Sequence, residues 1–396
     1  MDFDDTPEEA RFRQEARTFL EAHAPAGGLR YDQLVEMAER VRKQRDWQQV
    51  LHRNGWAVPT WPVAWGGRGL SPAQSAIWQQ ECARVDVGEG VLNGGLSMLG
   101  PTLIAHGSEE QRKRFLPPTA RGEILWAQLF SEPGSGSDLA SLATRAARDG
   151  DGDGWVVNGQ KVWSSFANYA DMGFLLARTD PRAPKHQGMV YLLVDLAQPG
   201  VEVRPLVEMT GGNHFNEVFL SDVRVPDANR VGPEHGGWAV ARTTLMLERT
   251  SIGSFSALRH VDKLLALVRQ RGSAVPAVLA DRIARLYSHA KGLDLLNKRM
   301  LTTVSHGGVP GAEGSVMKNA MADLMLEAAD LGMTLLGDEA IARGHLYEHD
   351  FLFAPSMHIG GGTQEIMKSL VAEQVLGLPR EPDAWKGRPF DEVPRS

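Results

Sequence analysis

The sequence predicts an α+β multidomain protein. We expect an N-terminal α-helical domain (residues 1–121), a middle antiparallel β domain (122–235) and a C-terminal α-helical domain (236–396). Apolar residues recur at helical spacing in the first part and return in long helical segments after about residue 236, whereas the middle has short apolar runs without that period. The length of 396 residues also exceeds what one ordinary core accommodates.

The N-terminal domain opens with a helix start signal. Thr6 is placed to cap the helix, Pro7 suits the first helical position, and Glu9 completes a capping box. Ser71-Pro72 and Ser108-Glu109-Glu110-Gln111 repeat this signal further along the chain. The N-terminal region is therefore predicted to contain several helices in succession.

The middle domain contains a turn signal between two strand-like runs. Asn158-Gly159 lies between Trp155-Val156-Val157 and Lys161-Val162-Trp163. This pattern predicts a β-hairpin, with Trp163 in its second strand.

The C-terminal domain has the pattern of a helical bundle. Its helical segments have the length and apolar content that such a bundle needs, and they cover residues 237–270, 276–304, 313–336 and 363–376. The tail after Leu378 carries several prolines and charges, so we expect it to be peripheral.

Composition limits the possible classes of function. A net charge of -7 and a pI near 6.0 argue against nucleic acid as a main partner. The single cysteine, Cys82, excludes an intrachain disulfide framework. The acidic start Met1-Asp2-Phe3-Asp4-Asp5 lacks the order of a signal peptide, and no apolar run reaches the roughly 20 residues of a membrane span. We therefore expect a cytoplasmic protein without a membrane span.

Common nucleotide and metal motifs are missing. Neither a G-x-G-x-x-G between a strand and a helix nor a P-loop occurs, so a nucleotide cofactor would have to bind without a Rossmann unit. His345 and His349 have i, i+4 spacing but lack the H-E-x-x-H order. We interpret them as packing or surface histidines and predict no metal site.

Three segments could contact a ligand, and each also has a simpler explanation. Ser131–Asp138 could bring hydroxyls and amides close to a ligand, or it could be an ordinary Gly/Ser turn. Trp163 could stack on a planar cofactor beside the hydroxyl of Ser165, or it could lie in the core. Gly360-Gly361-Gly362-Thr363 could present free N–H groups at a helix start, or it could be a tight interhelix turn.

Glu248 is the candidate for proton transfer. It stands in the apolar helical run Leu245-Met246-Leu247-Glu248-Arg249. Partial burial raises the pKa of a carboxylate, which suits a group that abstracts a proton. The alternative is an exposed carboxylate on a helix surface.

The chain resembles the acyl-CoA dehydrogenase flavoproteins over essentially its full length. Four segments carry the resemblance, in the family's order: Gln128–Asp138, Asn158–Ser165, Val223–Pro226 and Gly361–Ile366. The resemblance implies the helix–sheet–helix architecture, FAD as cofactor and an acyl-CoA thioester as substrate.

The resemblance also implies a cofactor-binding set. Ser131 matches a hydroxyl near the reactive flavin nitrogen, Ser137 a residue at the boundary of FAD and pantetheine, and Trp163 the aromatic residue packed on the isoalloxazine. The implied cofactor-binding residues are Gln128, Phe130, Ser131, Ser137, Trp163, Ser165, Thr363 and Glu365.

The position of the catalytic base varies within this family. Many members carry it where this chain has Gly361, which could offer only its N–H to the thioester oxygen. A smaller group carries it on the first long helix of the C-terminal domain, which matches Glu248, followed by a supporting arginine that matches Arg249. The resemblance therefore implies that Glu248 abstracts the α-proton while flavin accepts the β-hydride, giving a trans-2-enoyl-CoA.

Two segments that hold FAD across a dimer contact in the family's homotetramers are not recognisable. The corresponding stretches are Arg271–Ala274 and Met333–Asp338. We therefore expect either a homodimer or homotetramer, or a hetero-oligomer with a related subunit. Electron-transfer flavoprotein is the implied electron acceptor. A flavin oxidase, and a base-bearing or binding subunit that is not an enzyme by itself, stay open as alternatives.

Overall fold

The computed structural model describes residues 5–29, 36–150, 152–253, 257–272, 275–305, 313–341 and 346–394. The chain forms two compact units, each assembled from separate stretches of sequence. The first unit comprises Met1–Glu36, Leu70–Gly88 and Arg249–Arg380. The second unit comprises Met37–Gly69, Glu89–Glu248 and Glu381–Ser396. The boundaries of the three domains given above stay a prediction.

Helices occupy both ends of the chain, as predicted. In chain order they are α1 (Pro7–His23), α2 (Met37–Arg53), α3 (Pro72–Arg84), α4 (Gly100–His106), α5 (Glu109–Ala120), α6 (Gly237–Gly253), α7 (Ala257–Arg271), α8 (Ala277–Ser305), α9 (Glu313–Leu336), α10 (Leu346–Phe353) and α11 (Gln364–Gln374). A π-helical turn, Gly94–Leu99, leads into α4. No helix among these is long and apolar enough to cross a membrane.

The predicted helix starts are confirmed. The Thr6 hydroxyl accepts the N–H of Glu9, and the Glu9 side chain accepts the N–H of Thr6. Ser71 and Ser108 form the same reciprocal capping box with a glutamine three residues later. Each box satisfies backbone donors that a helix start leaves without partners.

A buried carboxylate joins α1 to α3 in the first unit. The side chain of Glu81 is 3% exposed and lies within 2.8–3.3 Å of the guanidinium groups of Arg13, Arg17 and Arg84. Burial alone would raise the pKa of Glu81, but the hydrogen bonds from the three arginines lower it to about 2. Glu81 is therefore ionised at neutral pH and fixes the packing of the two helices.

The second unit is built on a mixed β-sheet. Its strands are β1 (Trp126–Leu129), β2 (Arg145–Arg148), β3 (Gly154–Lys161), β4 (Met172–Arg178), β5 (Met189–Asp195), β6 (Val201–Pro205), β7 (Asn216–Pro226) and β8 (Arg230–Val231). Their order is β6-β7-β3-β2-β4-β5-β8, and β1 pairs with β4. Most neighbours are antiparallel, as predicted, but β1 and β2 run parallel to β4. Parallel pairing needs a long crossover, which the segment between β1 and β4 supplies.

The predicted hairpin at Asn158-Gly159 is wrong. Strand β3 continues through these residues, and β7 pairs with it on both sides of a register shift between Val157 and Gly159. A Cβ at Gly159 would lie 2.4 Å from the Thr144 hydroxyl oxygen, so the glycine permits a close approach of two backbones. Asn158 hydrogen-bonds across to Asp222. The Asn-Gly pair therefore marks a bulge.

The C-terminal tail is exposed over residues 374–388, as its predicted peripheral position requires, but it is anchored near its end. Phe390 is buried, and its N–H donates to the carbonyl of Ala183 over 3.0 Å. The guanidinium of Arg178 lies 3.7 Å from the centre of the Phe390 ring. The tail is thus part of the second unit, held by an aromatic residue that its proline-rich composition concealed.

Candidate functional site

Glu248 lies on α6 and is half-buried. Its Oε2 accepts a hydrogen bond from Gln128 Nε2 over 3.3 Å, although the two residues are 120 positions apart. Ala127 and Leu129, the neighbours of Gln128 on β1, are buried in the core of the sheet. Because side chains alternate along a strand, Gln128 points to the opposite face and meets α6.

A buried hydroxyl network fixes α6 one turn before Glu248. Thr244 lies on the same helix face as Glu248, four residues earlier. Its hydroxyl oxygen is 3.2 Å from that of Tyr191 and 3.0 Å from that of Thr102. Burial raises the pKa of Tyr191, so the phenol stays protonated and can donate. The network sets the rotation of α6 relative to the sheet and α4.

Phe130 belongs to the aromatic layer beneath this network. Its ring meets Phe174 and Tyr191 edge to face, with centroid distances of 5.9 Å to each. Phe130 is 3% exposed, so its side chain is not available to a ligand. If Phe130 contacts a cofactor, as the resemblance implies, the contact comes from its backbone.

A buried ion pair shapes the loop Ser131–Asp138. The carboxylate of Glu132 accepts two backbone N–H groups at 2.7 and 2.8 Å and lies 2.8 Å from Lys161 Nζ. Lys161 is fully buried and also donates to the carbonyl of Phe130 over 2.9 Å. Burial alone would raise the pKa of Glu132, but the charge of Lys161 and these hydrogen bonds hold it below its ordinary value. The loop is therefore more than an ordinary Gly/Ser turn.

Trp163 lies beyond the end of β3, so its predicted place in a strand is wrong. Its side chain is 61% exposed, which also excludes the alternative of a core residue. The backbone at Trp163 has a φ of +59°, which turns the chain after the strand. The N–H of Val162 donates to the carbonyl of Ser131 over 2.9 Å, and Phe215 packs edge to face against the indole. The turn presents the indole at the surface beside the Ser131–Asp138 loop.

Trp163 and the hydroxyls of Ser131, Ser137 and Ser165 are groups that suit a planar cofactor with a polar edge, such as a flavin. Ser137 and Ser165 are exposed and Ser131 is half-buried. Within the described ranges the structure gives none of these three hydroxyls a hydrogen-bond partner. An exposed indole offers a stacking surface, and such hydroxyls can donate to or accept from the edge of a ring.

The remaining predicted site residues lie in the first unit. Thr363 caps α11 and accepts the N–H of Ile366 over 3.3 Å, so this segment does lie at a helix start. Backbone N–H hydrogen bonding at the helix start and the Thr363 hydroxyl hold the pKa of Glu365 below its ordinary value. Gly361 has a φ of +67°, a conformation that is strained for residues with a side chain. The backbone conformation at position 361 therefore favours glycine, and a glycine has no carboxylate to act as a base.

Two predicted residues fall partly or wholly outside the described residues. The backbone of Arg249 belongs to α6, but its side chain lies outside them, as does His345. His349 is buried and stacks on Phe353 at 5.6 Å. Across the described parts of the chain, no group of three or more histidine, cysteine or acidic residues could hold a metal ion.

Sequence reasoning missed the groups that support the site. Glu132 lies in the segment Gln128–Asp138 and Lys161 in the segment Asn158–Ser165. A charged residue among apolar strand residues is a signal for a buried ion pair. The hydroxyls of Thr102, Tyr191 and Thr244 gave no such signal. They come from a helix, a strand and another helix, and only the fold brings them together.

This helix–sheet–helix fold with a flavin-compatible indole and loop defines a class of flavoenzyme, and the chain belongs to the acyl-CoA dehydrogenase family. Residues 6–123, 127–223 and 235–376 match the family's N-terminal, middle and C-terminal domain models. Members of this family are FAD flavoproteins, which confirms the predicted cofactor.

The chain is similar to named enzymes of this family. It is 43% identical to acyl-CoA dehydrogenase FadE34 of Mycobacterium tuberculosis, covering 90% of this chain and 50% of FadE34, so it spans about half the length of that relative. It is 40% identical to acyl-CoA dehydrogenase IpdE1 of the same organism, covering 87% and 90% of the two chains. A solved structure named Tcur3481-Tcur3483 steroid ACAD is 29% identical, with a TM-score of 0.82 and coverage of 96% and 100%. These similarities confirm the predicted enzyme class.

Proposed function

We propose that this chain catalyses the FAD-dependent α,β-dehydrogenation of an acyl-CoA thioester to the trans-2-enoyl-CoA, with Glu248 as the base. The observation that carries this proposal is the hydrogen bond between Glu248 and Gln128. Gln128 lies on β1, which runs directly into the loop that begins at Ser131. The strand that hydrogen-bonds the Glu248 carboxylate therefore also leads into the loop proposed to contact the flavin.

Each residue has a defined part in the proposed reaction. Glu248 takes the α-proton of the thioester onto a carboxylate oxygen, and the electrons of that C–H bond form the new double bond. FAD, when bound, accepts the β-hydrogen as hydride. The exposed indole of Trp163 supplies the stacking surface, and Ser131 and Ser165 supply hydroxyls for the polar edge. The N–H of Gly361 is the proposed donor to the thioester oxygen, and Arg249 supports the site.

We propose a steroid-linked acyl group as the substrate. This proposal is supported by the similarity to a structure named as a steroid ACAD, at a TM-score of 0.82. This proposal concerns only the identity of the acyl group, and the roles of Glu248 and the flavin are the same for any acyl group.

We propose that the working enzyme contains a second, related subunit and passes its electrons to electron-transfer flavoprotein. FadE34 is about twice as long as the region it shares with this chain, and the Tcur3481-Tcur3483 neighbour carries two protein names. The stretch Met333–Asp338 also lacks the family segment that holds FAD across a homodimer contact. A partner of the same fold would supply what this stretch lacks.

Glu248→Gln tests the catalytic proposal. We expect the variant to keep its flavin and bind acyl-CoA, yet to lose roughly 10²–10⁴-fold in the rate of flavin reduction, because an amide does not take up the α-proton. The measurement is anaerobic bleaching of the flavin absorbance by a panel of straight-chain and steroid-linked CoA thioesters.

The parent should be reduced fastest by the steroid-linked thioesters, without rapid peroxide formation in air. Glu217→Gln, on β7, is the matched control and should keep the parent rate. Reduction of the Glu248→Gln flavin at the parent rate would exclude Glu248 as the base.

A further inference from the structure

We infer that Gln128 is a positioning residue for Glu248, and that its amide orients the carboxylate and favours the ionised form that accepts a proton. This inference rests on the proposed role of Glu248. It gives Gln128 a task separate from the flavin contact that the family resemblance implies.

The two residues approach each other on a rigid support. β1 is paired along its length with β4, and Gln128 is in register with Phe174. On the helix side, Thr244 anchors α6 one turn before Glu248 through the buried Tyr191 and Thr102 hydroxyls. With strand and helix both fixed, the 3.3 Å separation of Gln128 Nε2 and Glu248 Oε2 has few ways to change.

In this contact Gln128 is the hydrogen-bond donor and the Glu248 carboxylate is the acceptor. An ionised carboxylate only accepts hydrogen bonds, so the glutamine must turn its NH2 group toward Glu248. A donor aimed at a carboxylate stabilises the charged form over the protonated form. Gln128 therefore favours the ionised form of Glu248 and holds one of its oxygens in a fixed direction.

Gln128→Met tests this inference. Methionine keeps the length of the side chain and removes the donor. We expect the rate of flavin reduction per bound flavin, which corrects for any change in flavin content, to fall about tenfold at neutral pH. The midpoint of the rate against pH should rise by about one unit, with the rate partly recovered in alkaline buffer.

Gln160→Met is the matched control. Gln160 donates to Glu217 over 2.8 Å in the same sheet, so this variant removes an equivalent bond between a glutamine and a glutamate. It should leave the pH midpoint where it is in the parent. Any loss of stability that Gln128→Met shares with Gln160→Met can then be distinguished from an effect on Glu248, which only Gln128→Met should show.

Gln128→Glu provides a second variant in case methionine disturbs folding. The side chain keeps its shape, and a like charge beside Glu248 should raise the pH midpoint at least as far as methionine does. An unchanged midpoint in either folded variant, or a loss of flavin with a normal pH profile, would overturn the inference. If Glu248→Gln is fully active, the assignment of the base fails instead, whatever Gln128 variants do.

Discussion

At the residue scale, Trp163 shows how a side chain is made available to a ligand. The chain leaves β3 at Lys161, adopts a positive φ at Trp163, and is fastened by backbone bonds on both sides. A large indole is then left 61% exposed, which is unusual for a residue type that is mostly buried. An exposed aromatic surface of this kind is typical of a binding site.

Replacing this indole should weaken flavin binding without unfolding the protein. Trp163→Ala removes a stacking surface worth about 0.5–1.5 kcal/mol beyond its buried area, so we expect a roughly threefold to tenfold higher dissociation constant for FAD. Flavin retained after dialysis, followed by absorbance, measures the effect. Trp163→Phe should retain most of it. Trp385→Ala, which removes a tryptophan that is 46% exposed in the tail, serves as the control. Equal retention in Trp163→Ala and the parent would count against stacking.

At the element scale, the junction of α1 and α3 depends on one ionised group. The pKa of Glu81 is lowered to about 2 in the folded protein, from its ordinary value of 4.5. A carboxyl with a depressed pKa stabilises the fold above its unfolded pKa, and that stabilisation is lost as the pH falls through the folded value. The contribution is about 3 kcal/mol, reduced by screening because the partner arginines are partly exposed.

Glu81→Gln should flatten the acid part of the stability curve. We expect the thermal midpoint at neutral pH to fall, because three guanidinium groups lose their shared carboxylate. The loss should correspond to at most about 3 kcal/mol. Between pH 4.5 and about 2 the variant should lose less stability than the parent does. Scans of unfolding against pH test both points. Glu123→Gln, which breaks an exposed ion pair with Arg121, should change little. If parent and variant lose the same amount of stability between pH 4.5 and about 2, Glu81 does not have the lowered pKa assigned to it.

Elements with local signals could be predicted, and those with tertiary causes could not. The capping boxes at Thr6, Ser71 and Ser108 depend on residues three positions apart, so their starts were predictable. The bulge at Gly159 depends on Thr144 and β7, which the local Asn-Gly pattern does not contain. Likewise, the direction of β1 is set by its crossover to β4 and not by its own residues.

At the scale of the whole molecule, the same division applies to the site. Glu248 and the Ser131–Asp138 loop can be singled out from their residue types in the sequence, and the family resemblance supplies their implied roles. The contact between Glu248 and Gln128 spans 120 positions and required the fold. The roles given to these residues, and the three domain boundaries, stay predictions.

The relation in length to FadE34 leads to a prediction for the assembly. If a related subunit completes the cofactor site, the chain produced alone should bind clearly less than one FAD per chain, because part of the holding surface is missing. Co-expression with a related acyl-CoA dehydrogenase subunit should raise the flavin content and give a complex of both chains. Flavin content and native mass measure these outcomes. A homo-oligomer with one FAD per chain and full activity would show that no second subunit is needed.

The tie between Ser131 and Val162 has a consequence for how the apoprotein is reconstituted. Together with the Lys161–Glu132 pair, it joins two stretches whose bonded residues are 29 and 31 positions apart in the chain. Both stretches carry groups that we propose contact the isoalloxazine, and bonds within the polypeptide set the distance between the stretches. We therefore expect these two stretches to need little ordering when FAD binds. Flavin analogues with a ring system of different width should bind poorly, because the loop does not move to accommodate them.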